Sequence, residues 1–171
     1  MTTNYEFEDA QNDASQGDPP REPFDSPPYA APGGITSIGF TGTRRGMTTA
    51  QRDHVQEKLL AWRPLEVHHG DALGADAEFH EMVRTLLPDT KIVTHPPSNP
   101  KQRAFCQSDE QRPEEDYLAR NKSIVRASHL VLAMPGENTE QLRSGTWSAV
   151  RLCRKSPVWF MVILPNGQAL K

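Results

Sequence analysis

Residues 158–164 form a run of seven consecutive apolar residues, closed by Pro157 on one side and Pro165-Asn166-Gly167 on the other. A run of that length between turn residues reads as a β-strand covered on both faces, which belongs inside a parallel sheet flanked by helices. Four shorter segments fit the same scheme: residues 35–40, 65–69, 91–94 and 129–134. Between them the apolar spacing turns helical. Thr48 and Gln51 form a capping-box pattern ahead of Val55, Leu59 and Trp62. Ala75, Phe79, Met82, Val83 and Leu86 share a second helix face, which Pro88 ends. Pro113 marks a third helix start, with Tyr117, Leu118, Ile124 and Val125 as its apolar face. Ser144-Gly145-Thr146-Trp147 opens a fourth, running through Ala149, Leu152 and Cys153. Residues 98–111 carry no period and read as irregular. Strands and helices in alternation predict an α/β fold, a Rossmann-like three-layer sandwich with a five-stranded, mainly parallel sheet.

The first 34 residues obey neither period. They hold six of the 15 prolines and one base against seven acids, a net of −6. Such a segment buries too little apolar surface to offset an ordering cost of roughly 1–2 kcal/mol per residue. The expectation is a disordered acidic tail over 1–34 and one folded domain over 35–171, with Tyr5, Phe7, Phe24 and Tyr29 available for docking. The domain then has 18 bases against 15 acids, so the overall −3 averages an acidic tail and a slightly basic domain. Two distant cysteines, Cys106 and Cys153, exclude a disulfide scaffold or a zinc ribbon and suit a reducing cytoplasm. No apolar run reaches membrane-spanning length, and the polar N-terminus does not read as a secretory signal.

Ligands of open parallel sheets bind beyond the carboxyl ends of the strands. The unusual residues of this chain fall there: Gly42-Thr43-Arg44-Arg45 after the first strand and Gly70-Asp71 through Gly74 and Asp76 after the second. His95-Pro96-Pro97 follows the third strand, and Pro135-Gly136, leading to Arg143-Ser144-Gly145-Thr146, the fourth. Gly42, Thr43, Arg44 and Arg45 offer amides, a hydroxyl and guanidinium forks to an anion. Ser144, Gly145 and Thr146 open a helix whose free N–H groups attract phosphate. Asp71 and Asp76 suit ribose hydroxyls or acid–base work, against the simpler role of Asp76 facing a helix dipole. His68, His69, Asp71, His80 and His95 read as polar lining, with no metal expected. Neither GxGxxG nor GxxxxGK[ST] occurs, and no cofactor is implied. Trp147 reads as packing under its helix rather than as a stacking platform.

The strings GFTGTRR, GDALGAD, ARNKSIVRASHLVLAMPG and RSGTW, in that order, resemble the SLOG superfamily over about residues 35–165. That Rossmann-like group contains the DprA recombination proteins and the LOG phosphoribohydrolases. The resemblance implies binding of a nucleotide or nucleotide-derived small molecule at the sheet edge. It implies a charge-handling, catalytic position for Arg120 together with Asp71, and a base or sugar contact for Asn121, with Gly70, Gly74 and Pro135 shaping the turns. The LOG reaction, cleavage of a nucleotide N-glycosidic bond, is the enzymatic alternative, alongside deoxyribosyl transfer. Arg120 stands fifteen residues before Pro135, as in the LOG motif, but Pro135-Gly136-Glu137 lacks the second glycine and Ala149 occupies the position of the catalytic glutamate. Single-stranded DNA binding in the manner of DprA would need a basic groove with aromatic platforms, which this composition does not favour. LOG proteins are often dimers, so the resemblance also offers a homodimer, with the helix after Pro113 as its contact.

Overall fold

The computed structural model describes residues 34–170; the tail expectation therefore lies outside the described residues. The chain alternates strand and helix: β1 (Ser37–Gly42), α1 (Thr49–Trp62), β2 (Glu66–His69), α2 (Ala75–Leu86), β3 (Lys91–Thr94), β4 (Glu110–Gln111), α3 (Tyr117–Ala127), β5 (Leu130–Met134), α4 (Gly145–Cys153), β6 (Trp159–Ile163) and β7 (Ala169–Leu170). One sheet runs in the order β4-β3-β2-β1-β5-β6-β7, parallel throughout except for antiparallel β7. The expected α/β sandwich is present, but the sheet has seven strands rather than five. The two additions are edge strands of two residues each, too short to leave an alternating pattern.

Phe40 of β1 stacks on Phe79 of α2 with ring centroids 4.2 Å apart, inside the large core that Val55, Leu59 and Val83 complete from α1 and α2. Trp147, Val150 and Cys153 of α4, with Val125 of α3, cover the other face over Val131, Ala133 and Val162. The run 158–164 is not interior throughout: Val158 and Met161 to Leu164 are buried, whereas Trp159 is 39% exposed. Trp159 opens β6 on the strand face that Met161 and Ile163 continue into the α1 and α2 core. None of the described helices is long and apolar enough to cross a membrane.

One helix start differs from the expectation. α3 begins at Tyr117, not at Pro113, because the Asp116 carboxylate accepts from the Leu118 and Ala119 amides and so supplies the cap. α1 begins as its capping box requires, and the box does more than cap. Gln51 is buried; its Oε1 accepts from Thr48 N–H at 3.0 Å, while Nε2 donates to the carbonyls of Pro135 (2.9 Å) and Ile163 (2.8 Å). One amide thus ties α1 to the carboxyl ends of β5 and β6. Leaving buried partners unpaired costs about 1–3 kcal/mol each. Gln51→Leu is therefore expected to lower unfolding free energy by about 3 kcal/mol or more in urea titrations, against about 1 kcal/mol for Thr48→Ala.

Candidate functional site

The order of strands reverses between β1 and β5, where Gly42 lies opposite Met134. That is the crevice in which a doubly wound sheet receives its ligand. The turn after β1 is clamped from both sides: Thr43 N–H donates to Met134 O, and Thr43 O accepts from Ala75 N–H, each at 3.0 Å. Gly42 packs against Ala75 with no room for a Cβ, and Gly74 (φ +87°) lets the second turn approach the Arg44 backbone. Gly136 leaves space that the Thr43 hydroxyl and the Arg45 guanidinium fill. Arg45 donates to Gly136 O at 3.0 Å and pairs with Glu137 at 2.9 Å, both side chains well exposed. Arg44 is exposed at the mouth, and Pro135 is buried beneath it with its carbonyl on Gln51.

The second turn holds two buried carboxylates with different environments. Asp71 (φ +49°) is fully buried; one oxygen takes the Arg103 Nε at 2.5 Å and the other the Cys106 amide at 2.9 Å. Arg103 also reaches Glu114 and Gln111. These oxygens are committed, so Asp71 anchors the loop rather than facing a ligand. Arg103 and Cys106 come from the stretch without periodicity, where only the arginine's charge gave a signal. Asp76, in the first turn of α2, accepts from the amides of Gly70 (2.9 Å) and Ala72 (3.3 Å). Burial pushes its carboxyl up to about 6, against the opposing pull of Arg120 and the backbone amides. Arg120 lies against Gly70, donating to its carbonyl at 3.3 Å, and its Nε is buried without a partner.

The five residues considered together as polar lining do not form one group, because neighbouring residues on a strand point to opposite faces. His69 turns toward α2, with Nε2 3.1 Å from His80 Nδ1. Its Nδ1 accepts from the Asp71 amide, so the proton of the neutral ring sits on Nε2 and points at His80. Cys106 Sγ joins these rings within 4.8 Å, but burial and the Asp71 carboxylate push its thiol up to about 12. His69 and His80 are thus hydrogen-bonded to each other with the Cys106 sulfur beside them, and burial favours the neutral form of both rings and of the thiol. His68 turns the other way, toward His95.

At the start of α4, Ser144 caps the helix through the Trp147 amide (3.4 Å). Gly145 is exposed, with open space where a Cβ would stand, while Thr146 and Trp147 are buried. Trp147 packs rather than projecting into the crevice. Asn121 Nδ2 donates to Gly145 O at 3.3 Å, which binds the start of α4 to the helix that carries Arg120. Ala149 is buried under α4, and Glu140 is held by Arg151 and Arg154 at 3.0 and 2.7 Å. Thus the turns after β1, β2 and β5 and the openings of α2 and α4 meet at one sheet edge. Asp71 and Asp76 are its buried carboxylates, and Arg120 is partly buried beside them.

No protein-family model and no curated protein matches the chain. Among solved structures, it is similar to the X-ray structure of TM1055, a structural genomics consortium target. Identity is 14%, covering 68% of this chain and 67% of that one, with a TM-score of 0.49.

A carboxyl raised by burial binds its proton more tightly in the folded chain than in the unfolded one. Stability is then lost as pH rises through the window from the ordinary carboxylate value to about 6. At about 1.4 kcal/mol per pH unit the penalty approaches about 3 kcal/mol. Unfolding titrations between about pH 4 and pH 7 should show wild type losing stability by that order relative to Asp76→Asn.

Proposed function

We propose that the domain is a SLOG-type member that binds a nucleotide or nucleotide-derived ligand at the β1/β5 crevice. The observation that carries the reading is Arg120: a guanidinium with an unpaired buried Nε beside Gly70 and Asp76, on the helix whose Asn121 holds the start of α4. The phosphate is assigned to the amides at Ser144, Gly145 and Thr146, with Thr43 and Arg44 of the first turn as further donors. Arg45 joins by exchanging Glu137 for the phosphate, since an exposed ion pair is worth only about 0–1 kcal/mol. Asp76 is the carboxyl for a sugar hydroxyl, a role that passes to it because both oxygens of Asp71 are taken. Asn121 serves beside Arg120 as a polar contact.

A second reading, N-glycosidic cleavage, is supported by the same carboxyl. Poised near 6, Asp76 can lend a proton to a departing base at neutral pH, which Ala149 cannot. In that reading Arg120 steadies the phosphate side of the substrate while the base leaves.

Thermal unfolding in the presence of nucleoside 5′-monophosphates tests the binding. At about a hundredfold excess over Kd, the expected stabilisation is about 2.7 kcal/mol, or roughly 10 °C in Tm. Nucleosides without phosphate should give little, and Arg120→Met should weaken binding about tenfold. A Tm unmoved by every common mono- and dinucleotide sinks the proposal. Chromatography of the same mixtures separates the two readings, since only cleavage releases free base.

A further inference from the structure

A second cavity, of about 380 Å³, lies beside α3 and shares no lining residue with the turns described above. His95 reaches it from the end of β3, Arg112 and Glu115 from the segment before α3, and Ser123 and Arg126 from α3 itself. Arg126 makes no hydrogen bond or ion pair among the described residues. Arg112 shares its charge with Glu110 at 3.0 Å. The cavity therefore offers one free guanidinium and one partly engaged one, with Glu115 as the opposing acid.

His95 ends a chain of side chains whose protons can be placed. Lys91 Nζ holds Glu66 at 2.9 Å, Glu66 Oε1 lies 2.8 Å from His68 Nε2, and His68 Nδ1 lies 3.1 Å from His95 Nε2. A carboxylate only accepts, so His68 Nε2 carries the proton. Burial disfavours a second proton on His68, against the pull of Glu66, so its Nδ1 is the acceptor and His95 Nε2 the donor. Burial, with His68, Arg112 and Arg120 nearby and only Glu110 opposing, holds His95 down to about 4, so its ring is neutral too. The remaining nitrogen, His95 Nδ1, is then a bare lone pair, and it is buried without a partner. His95 itself is 3% exposed.

An anion bringing only lone pairs would satisfy the arginines and collide electrostatically with that nitrogen. A phosphate oxygen that still carries its proton satisfies both, and Glu115 adds to the bias against a fully ionised group. We infer that this cavity is a separate site for a protonated phosphate group, free or as a phosphomonoester, held by Arg126 and Arg112 and read by His95 Nδ1. The inference does not depend on the crevice binding a nucleotide.

Calorimetric titration of the full chain near pH 6, where inorganic phosphate is mainly the dihydrogen monoanion, provides the test. Inorganic phosphate is expected to bind at least about tenfold more tightly than sulfate, the same shape without a proton. Arg126→Ala, at an exposed position, should weaken phosphate about tenfold or more, and His95→Gln should collapse the preference over sulfate. Arg126-dependent binding of glycerol 3-phosphate tighter than that of inorganic phosphate assigns the site to esters; weaker binding assigns it to the free ion. Equal affinity for phosphate and sulfate overturns the inference. So does phosphate binding that survives Arg126→Ala unchanged, which would place the ion at the crevice and leave the nucleotide reading standing.

Discussion

The carboxylate of Asp71 is the interaction on which the site's geometry depends. A charge taken out of water costs several kcal/mol unless it is paired and hydrogen-bonded. Here the Arg103 guanidinium and the Cys106 amide meet that demand at 2.5 and 2.9 Å. The same residue adopts a positive φ and accepts the Ala104 amide on its own carbonyl at 2.8 Å. Asp71 therefore pins residues 103–106 onto the turn after β2. With that turn fixed, Gly74 can meet the Arg44 backbone, and Asp76 can collect the Gly70 and Ala72 amides beneath Arg120.

The rest of the edge is joined by a few polar side chains acting between elements. Gln51 ties α1 to β5 and β6, Asn121 ties α3 to α4, and Arg45 spans the turns after β1 and β5. The first two are buried and structural. The third is exposed and cheap to exchange. A crevice held by rigid polar bridges and lidded by a weak surface pair keeps its shape while remaining open to an anion.

Much of this was legible in the sequence because it follows short-range rules. The glycine turns, the Thr48–Gln51 box and the cap at Ser144 each declare themselves within four residues, and apolar runs locate the interior strands. What was not legible depends on partners distant in the chain. Arg103 sits in a stretch with no period, and nothing local marks it as the counter-ion of Asp71, thirty-two residues earlier. Pro113 looked like a helix start, yet the capping carboxylate of Asp116 decided the matter. The opposite facing of His68 and His69 follows from strand alternation alone. Their partners, His95 and His80, needed the assembled fold.

The central claim is that the crevice between β1 and β5 takes a phosphate-bearing nucleotide. Amide chemical-shift mapping of ¹⁵N-labelled protein during titration with a nucleoside 5′-monophosphate addresses it directly. The account predicts the largest shifts at Thr43, Arg44, Gly70, Gly136 and the amides from Gly145 to Trp147. Shifts confined to the surroundings of His95 and Arg126, or none at saturating ligand, would contradict it.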